Sequence, residues 1–265
     1  MLTAVLPERG KTVVRLAAMF FVGSFLMVLA GLLGRNNFQI EGFFFDVFSG
    51  VVGGAIVHFG MAKIVGPLLT GRSWCGWGCW TGMILDLLPY KKNIVWRGGN
   101  LPRLRAVHFA LALGLTAMLV FGFSYTIVQT DPEAAASGMG TLASLAWFAV
   151  GNALYYAAGI ALAIRFKDNR AFCKYLCPVT VFLRTGARVA LARIQGDVQT
   201  CTSCGQCVQR CPMGIDIPAY VKESRRVAST ECILCLNCVS ACPQGALKVT
   251  AGLDLVRAEH LRRAE

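Results

Sequence analysis

The sequence predicts a mainly α-helical membrane protein, a four-span transmembrane bundle of two repeated hairpins followed by a small α+β domain rich in cysteine. Three observations predict it. The 265 residues are 55% apolar and only 15% charged, with a mean hydropathy of +0.56. Long apolar runs recur along the chain, and all 12 cysteines fall into four tight groups. This composition excludes disorder, collagen-like sequence and a disulfide-dense miniprotein.

The apolar runs cover residues 16–33, 43–69, 106–128 and 142–164, and all but the second lack Asp, Glu, Lys and Arg. Runs of about 18 or more such residues read as membrane spans. The second carries Asp46, His58 and Lys63 and is counted because charge topology requires it. With four spans, 24 of the 26 basic residues lie on one side, leaving Arg35 outside and Lys63 in the second run. Acidic Glu41, Asp46, Asp131 and Glu133 mark the opposite side. The positive-inside rule then puts both termini and the 70–105 loop in the cytoplasm of a bacterial cell, with the body in its inner membrane. The net charge of +12 is explained by topology and anionic lipid, and no nucleic-acid partner is expected. Residues 1–33 do not read as a cleaved signal peptide, because their apolar core is long and no A-x-A-like site follows.

The expected domains are 1–194 for the membrane part, 195–250 for the cysteine-rich module and 251–265 for a charged tail. In the module, Cys201, Cys204, Cys207 and Cys211-Pro212 stand in C-x2-C-x2-C-x3-C-P, and Cys232, Cys235, Cys238 and Cys242-Pro243 repeat it. This is the bacterial [4Fe–4S] run, in which the fourth cysteine of each run ligates the other cluster. The expected sets are Cys201, Cys204, Cys207 and Cys242 for one cluster, and Cys232, Cys235, Cys238 and Cys211 for the other. Zinc leaves the third evenly spaced cysteine unplaced, and disulfides are disfavoured on the reducing side. Lys222, Arg225 and Arg226 between the runs either tune the clusters and dock an acidic donor or form a solvated helix face.

The other four cysteines form a second repeat. Gly71–Cys79 aligns without a gap with Asn169–Cys177, both reading x-Arg-x-aromatic-Cys-x-aromatic-x-Cys. Each copy follows an inward-running span, which suggests a pseudo-two-fold arrangement with Cys75 and Cys79 facing Cys173 and Cys177. Three readings stand: a further iron–sulfur or metal centre, a dithiol relay, or small residues packing the bundle base. Pro178 suits a helix start with Cys177 as N-cap, where Arg170 or Lys174 would favour thiolate. Residues 178–194 then read as an amphipathic interfacial helix.

These motifs resemble the NapH family, ferredoxin-type quinol dehydrogenase subunits of periplasmic nitrate reductase systems. MauN and the membrane core shared by NosR and CcoG have a similar architecture. The resemblance runs from residue 12 to about 250. It rests on Cys75, Cys79, Cys173, Cys177-Pro178 and both ferredoxin runs, including Cys211-Pro212-Met213-Gly214-Ile215-Asp216. Trp80 follows Cys79 where the family pattern has proline, so a different turn is expected there. The lack of an outer flavin domain or an extra C-terminal domain favours the NapH-like branch. The resemblance implies an oxidoreductase subunit exchanging electrons between membrane quinol or quinone and a partner. That partner would be an outer-face ferredoxin, a multihaem cytochrome or a cytoplasmic donor. The alternative is a MauN- or CcoG-like maturation factor that reduces a metal or cofactor.

A quinone site needs a proton acceptor among apolar walls. His58 in the second run and His108 at the inner start of the third are the candidates, with a capped core histidine as the ordinary alternative. A haem at His58 lacks a second histidine. Trp74, Trp77, Trp80 and Trp96 read as headgroup-level anchors, and Gly50, Gly53, Gly54 and Gly60 as helix-contact residues.

Overall fold

The computed structural model describes residues 8–90, 92, 95–96, 101–129, 139–254 and 259–264. Asp131 and Glu133 of the outer loop, and Lys91 and Arg97 of the 70–105 loop, lie outside the described residues.

Three helices are long and apolar enough to cross a membrane: Val13–Leu33, Leu101–Gly122 and Leu142–Phe166. At about 1.5 Å per residue each covers the roughly 30 Å hydrocarbon core. The first comprises α1 (Glu8–Ser24), whose coil widens into a π-helical stretch over Phe25–Leu33.

The second apolar run is not one helix. It divides into α2 (Ile40–Phe48) and the shorter apolar helix Gly54–Thr70, which opens with α3 (Gly54–Phe59). Between them Gly50 turns the chain at a φ of 67°. Residues 34–39 enter the bundle as irregular backbone, and Phe38 packs with Trp80 and Phe148. The Asn37 side chain accepts the Gln39 amide at 3.0 Å, so α2 starts inside the protein. Such backbone is tolerated at membrane depth only where protein or a cavity surrounds it. The helix then runs out to Ser49, whose hydroxyl meets that of Thr126 at 2.9 Å.

Below the spans lie α4 (Ser73–Trp77) and α5 (Trp80–Asp86), then the second and third of the long helices, here α6 (Leu104–Ala117, continuing to Gly122) and α7 (Leu142–Phe166). After α7 come α8 (Ala171–Tyr175) and α9 (Thr180–Ala187). The interfacial helix expected over 178–194 is therefore shorter. Phe182 packs on Phe43, Phe59 and Phe109 of the membrane part, whereas Leu183 sits in the apolar core of the module. The helix wedges the two parts together because both its faces are covered.

The module opens earlier than residue 195. Its antiparallel sheet pairs Ala192–Gly196 with Leu247–Ala251 and brackets both cysteine runs. The segment expected as a tail folds back: the Asp216 amide bonds the His260 carbonyl at 2.9 Å, and Arg263–Ala264 pairs with Val95–Trp96.

Candidate functional site

The module forms two thiol-lined cradles. Cys201, Cys204, Cys207 and Cys242 line one pocket, with Ile217, Val221 and Leu247 as apolar walls. Cys211 lies instead within electrostatic range of Cys232, Cys235 and Cys238. Both loops share an unusual backbone. Ser203 and Gly205 have φ of 54° and 76°, and the matching Leu234 and Leu236 have φ of 46° and 64°. Left-handed residues at these positions turn successive amides inward, a cradle that favours an anionic group. Leucine adopts this conformation only under constraint. The residues fit two [4Fe–4S] clusters. Among the described residues no three His, Cys, Asp or Glu converge where a single ion would sit.

The membrane part gathers the remaining thiols. Cys75, Cys79, Cys173 and Cys177 line one cavity of about 50 Å³, together with Lys63, Trp74, Tyr155 and Phe172. Cys79, not Cys177, is a helix N-cap: its sulfur accepts the Gly82 amide at 3.4 Å. Trp80 in place of proline thus leaves the first pair turned toward its partner. Burial is the largest influence on the Cys173 thiol and pushes it up to about 11; burial also pushes Cys79 and Cys177 up. Cations surround the set. Arg170 donates to the Cys75 carbonyl at 3.0 Å and approaches Cys173 Sγ at 3.9 Å, and Arg72 reaches the Cys173 carbonyl at 3.5 Å. Lys174 turns away and pairs with Asp168. Two buried and two half-buried thiols ringed by Lys63, Arg72 and Arg170 suit an anionic thiolate-bound centre, whereas a dithiol relay favours an exposed, low-pKa thiol.

This cavity touches the module directly. A Cβ on Gly76 would lie 2.5 Å from the Ile233 carbonyl oxygen, and Trp77 Nε1 donates to Leu234 at 2.9 Å. Glu231, beside Cys232, receives Arg72 and Arg105. Burial alone would raise its carboxyl, but the Arg72 and Arg105 guanidiniums hold it at about 2.

On the membrane side a cavity of about 680 Å³ lies between α2, α6 and α7. It shares Gln39, Tyr155 and Phe172 with the four-thiol cavity. His108 lines it and donates from Nδ1 to the Leu176 carbonyl at 2.9 Å, which leaves Nε2 as the acceptor. His58 lines neither cavity. It is boxed by Phe38, Trp74, Phe59 and Trp80 rings, and its Nε2 is buried without a partner. The sequence reading missed Gln39 and Tyr155 and took Glu41 as an outer-face charge, whereas all three line the large cavity; an acid beside an apolar run was the available signal for Glu41. The tryptophans are not all anchors: Trp80 is buried, bonding Asn152 at 2.8 Å, and Trp74 lies beneath Lys63 at 4.2 Å.

Comparison with known proteins agrees with this geometry. Residues 193–243 match the 4Fe-4S dicluster domain family, and residues 47–103 and 150–196 each match the 4Fe-4S binding domain family. The latter two segments are the repeat copies that hold the paired cysteines. The chain is an iron–sulfur membrane protein of the electron-transfer class. More particularly, it is related to the ferredoxin-type protein MauN, the putative electron transport protein YccM, the regulatory protein NosR, and the proteins NirI and RdxA. An uncharacterised protein of Methanocaldococcus jannaschii is 26% identical over 205 residues, covering 76% of this chain and 74% of the relative. YccM of Escherichia coli is 26% identical over 200 residues, 69% and 52% of the two chains. The methylamine utilization ferredoxin-type protein MauN of Methylobacillus flagellatus is 25% identical over 151 residues, 55% and 50%. This chain thus spans about half the length of YccM and MauN. No solved structure matches it.

Proposed function

We propose that the protein is a NapH-like subunit of the bacterial inner membrane that exchanges electrons between quinol or quinone and a redox partner. The observation that carries this reading is that Tyr155 and Phe172 line both the 680 Å³ cavity and the four-thiol cavity. On its other side the four-thiol segment abuts the module through Gly76 and Ile233. The cavities and the module thus form one line from lipid to cytoplasm. Cys201, Cys204, Cys207 and Cys242 hold one [4Fe–4S] cluster, and Cys232, Cys235, Cys238 and Cys211 the other. Cys75, Cys79, Cys173 and Cys177 hold a further iron–sulfur centre, a reading supported by the 4Fe-4S binding domain matches over both repeats. When bound, the clusters supply one-electron transfer. His108 and the cavity walls bind the quinone ring and exclude water.

Gly54–Thr70, with the re-entrant α2, completes a fourth crossing, and both termini face the cytoplasm. Outside, an outer-face ferredoxin or multihaem cytochrome collects electrons; no nucleic acid takes part.

The test is anaerobic reconstitution. The full chain should carry about eight irons in the module, and a short-tailed quinol should reduce it. A loaded protein that neither accepts electrons from quinol nor gives them to quinone overturns the quinone reading and favours the maturation role.

A further inference from the structure

We propose that the quinone head group is held at the inner start of α2, by Gln39 and Tyr155, and that Glu41 accepts a proton from the quinol. This rests on the quinone reading above and assigns residues to it. The large cavity is apolar over most of its wall, through residues such as Leu111, Leu115, Val150 and Leu154. Unpartnered polar atoms concentrate at one place on it. Gln39 is 3% exposed, and both its Oε1 and Nε2 lack partners. Glu41 Oε2 and the Tyr155 hydroxyl are also buried without a well-formed hydrogen bond, although the two side chains approach each other within bonding reach.

Buried polar atoms are almost always hydrogen-bonded, and those that are not call for an explanation. Here four such atoms share one cavity. Gln39 cannot swing away to find bonds, because it is clamped against α7, where a Cβ on Gly151 would lie 2.0 Å from Oε1.

The occupant must satisfy donors and acceptors at one end and be apolar elsewhere. Ordered water bonds only the polar end and leaves the aliphatic walls uncovered, and a lipid tail leaves all four atoms bare. A quinone fits. Its carbonyl oxygen accepts from Gln39 Nε2 and the Tyr155 hydroxyl. In the reduced form, the quinol hydroxyl donates to Glu41 Oε2. In oxidation the O–H bond of that hydroxyl breaks and an O–H bond forms on Glu41. The second hydroxyl proton goes to His108 Nε2 on the same cavity, and the two electrons leave singly to a one-electron acceptor of the iron–sulfur class. Tyr155 lies between the acceptors, its ring 5.6 Å from that of His108, and it also walls the four-thiol cavity.

The experiment uses the full, iron-loaded chain in phosphatidylglycerol nanodiscs with decylubiquinone as probe. Binding is read from quenching of Trp147 on the cavity wall, with Trp147→Phe as the control that removes the signal. Gln39→Leu should weaken binding about tenfold, as expected for one lost hydrogen-bonding partner; Tyr155→Phe serves if that variant does not fold. Glu41→Gln should bind the quinone as the parent does and retain its iron. Its reduction by decylubiquinol should slow about 100-fold, the effect of losing a general base, and Glu41→Asp should restore part of the rate. Parent-like rates in Glu41→Gln, or parent-like binding in both Gln39→Leu and Tyr155→Phe, overturn the proposal while leaving the quinone reading intact. A parent protein that binds no quinone, with a lipid found in the cavity by native mass spectrometry, overturns both.

Discussion

Arg170 leaves its own repeat to donate a hydrogen bond to the carbonyl of Cys75, at 3.0 Å. Its counterpart Arg72 does the reverse, reaching the carbonyl of Cys173. Both side chains are fully buried. The two repeats are thus locked by a reciprocal exchange, and each arginine is neutralised by an acid elsewhere, Asp86 for Arg170 and Glu231 for Arg72. Arg170→Lys should break the lock, since an ammonium cannot grip Asp86 with two prongs and still span to Cys75. Losing a hydrogen bond to a charged group costs about 1.5–3 kcal/mol. Thermal unfolding in detergent should register that loss, while both module clusters persist by spectroscopy.

Asp86 gives this lock a pH dependence. Burial pushes its carboxyl up, but Arg170 and Arg15 outweigh burial and hold it below its ordinary 3.8. A carboxyl lowered by folding stabilises fully above its unfolded value and loses that contribution as pH falls through the folded one. Stability should therefore be level near neutrality and decline only below about pH 4. Asp86→Asn should be weaker at pH 7 and lack that part of the acid decline, which parallel melting curves would reveal.

Glu231 clamps the module to the membrane part. Removing it strands Arg72 in a place with no solvent access. Breaking a buried pair from one side costs about 3–5 kcal/mol, so Glu231→Ala should unfold far more readily than the parent or fail to accumulate. An unaltered melting temperature would show that the clamp contributes nothing.

The crossed ligand sets separate two serine variants. Cys211→Ser should damage the cluster built on Cys232, Cys235 and Cys238, whereas Cys242→Ser should damage the one on the Cys201–Cys207 loop. Paramagnetic resonance of the reduced variants distinguishes the two signals. Loss of the same cluster in both variants contradicts the crossing.

Thiol chemistry and chain order were legible because they are local: C-x2-C-x2-C-x3-C-P fixes a loop shape by spacing alone, and the gapless repeat at Gly71 and Asn169 fixes the pairing of halves. The re-entrant α2 was not legible. Its residues are as apolar as a span, and only tertiary contacts, such as Phe38 against Trp80 and Phe148, turn the chain back inside the bundle. The same limit applied to Trp80 and Trp77, whose indole N–H groups find Asn152 and Leu234 from distant segments. His58 and His108 looked equivalent in sequence, yet His108 lines the large cavity, whereas His58 is held behind the Phe38, Trp74 and Trp80 rings.

The paired C-x3-C cysteines provide the most decisive prediction. All four line one cavity among buried cations, and the segment carrying Cys75 packs on the loop of Cys232 and Cys235 through Gly76. If they hold a redox centre, Cys75→Ser or Cys177→Ser should leave both module clusters intact, remove the extra iron or metal, and stop quinol from reducing the module. Folding should survive, because serine is nearly the size of cysteine and near-isosteric changes usually cost little. Packing alone predicts normal metal content, normal electron transfer and at most a small loss of stability. Metal analysis and quinol-driven reduction, measured on the same preparations, separate these outcomes. Parent-like rates in both variants would mean that electrons bypass the four thiols, and the line from cavity to module would have to run elsewhere.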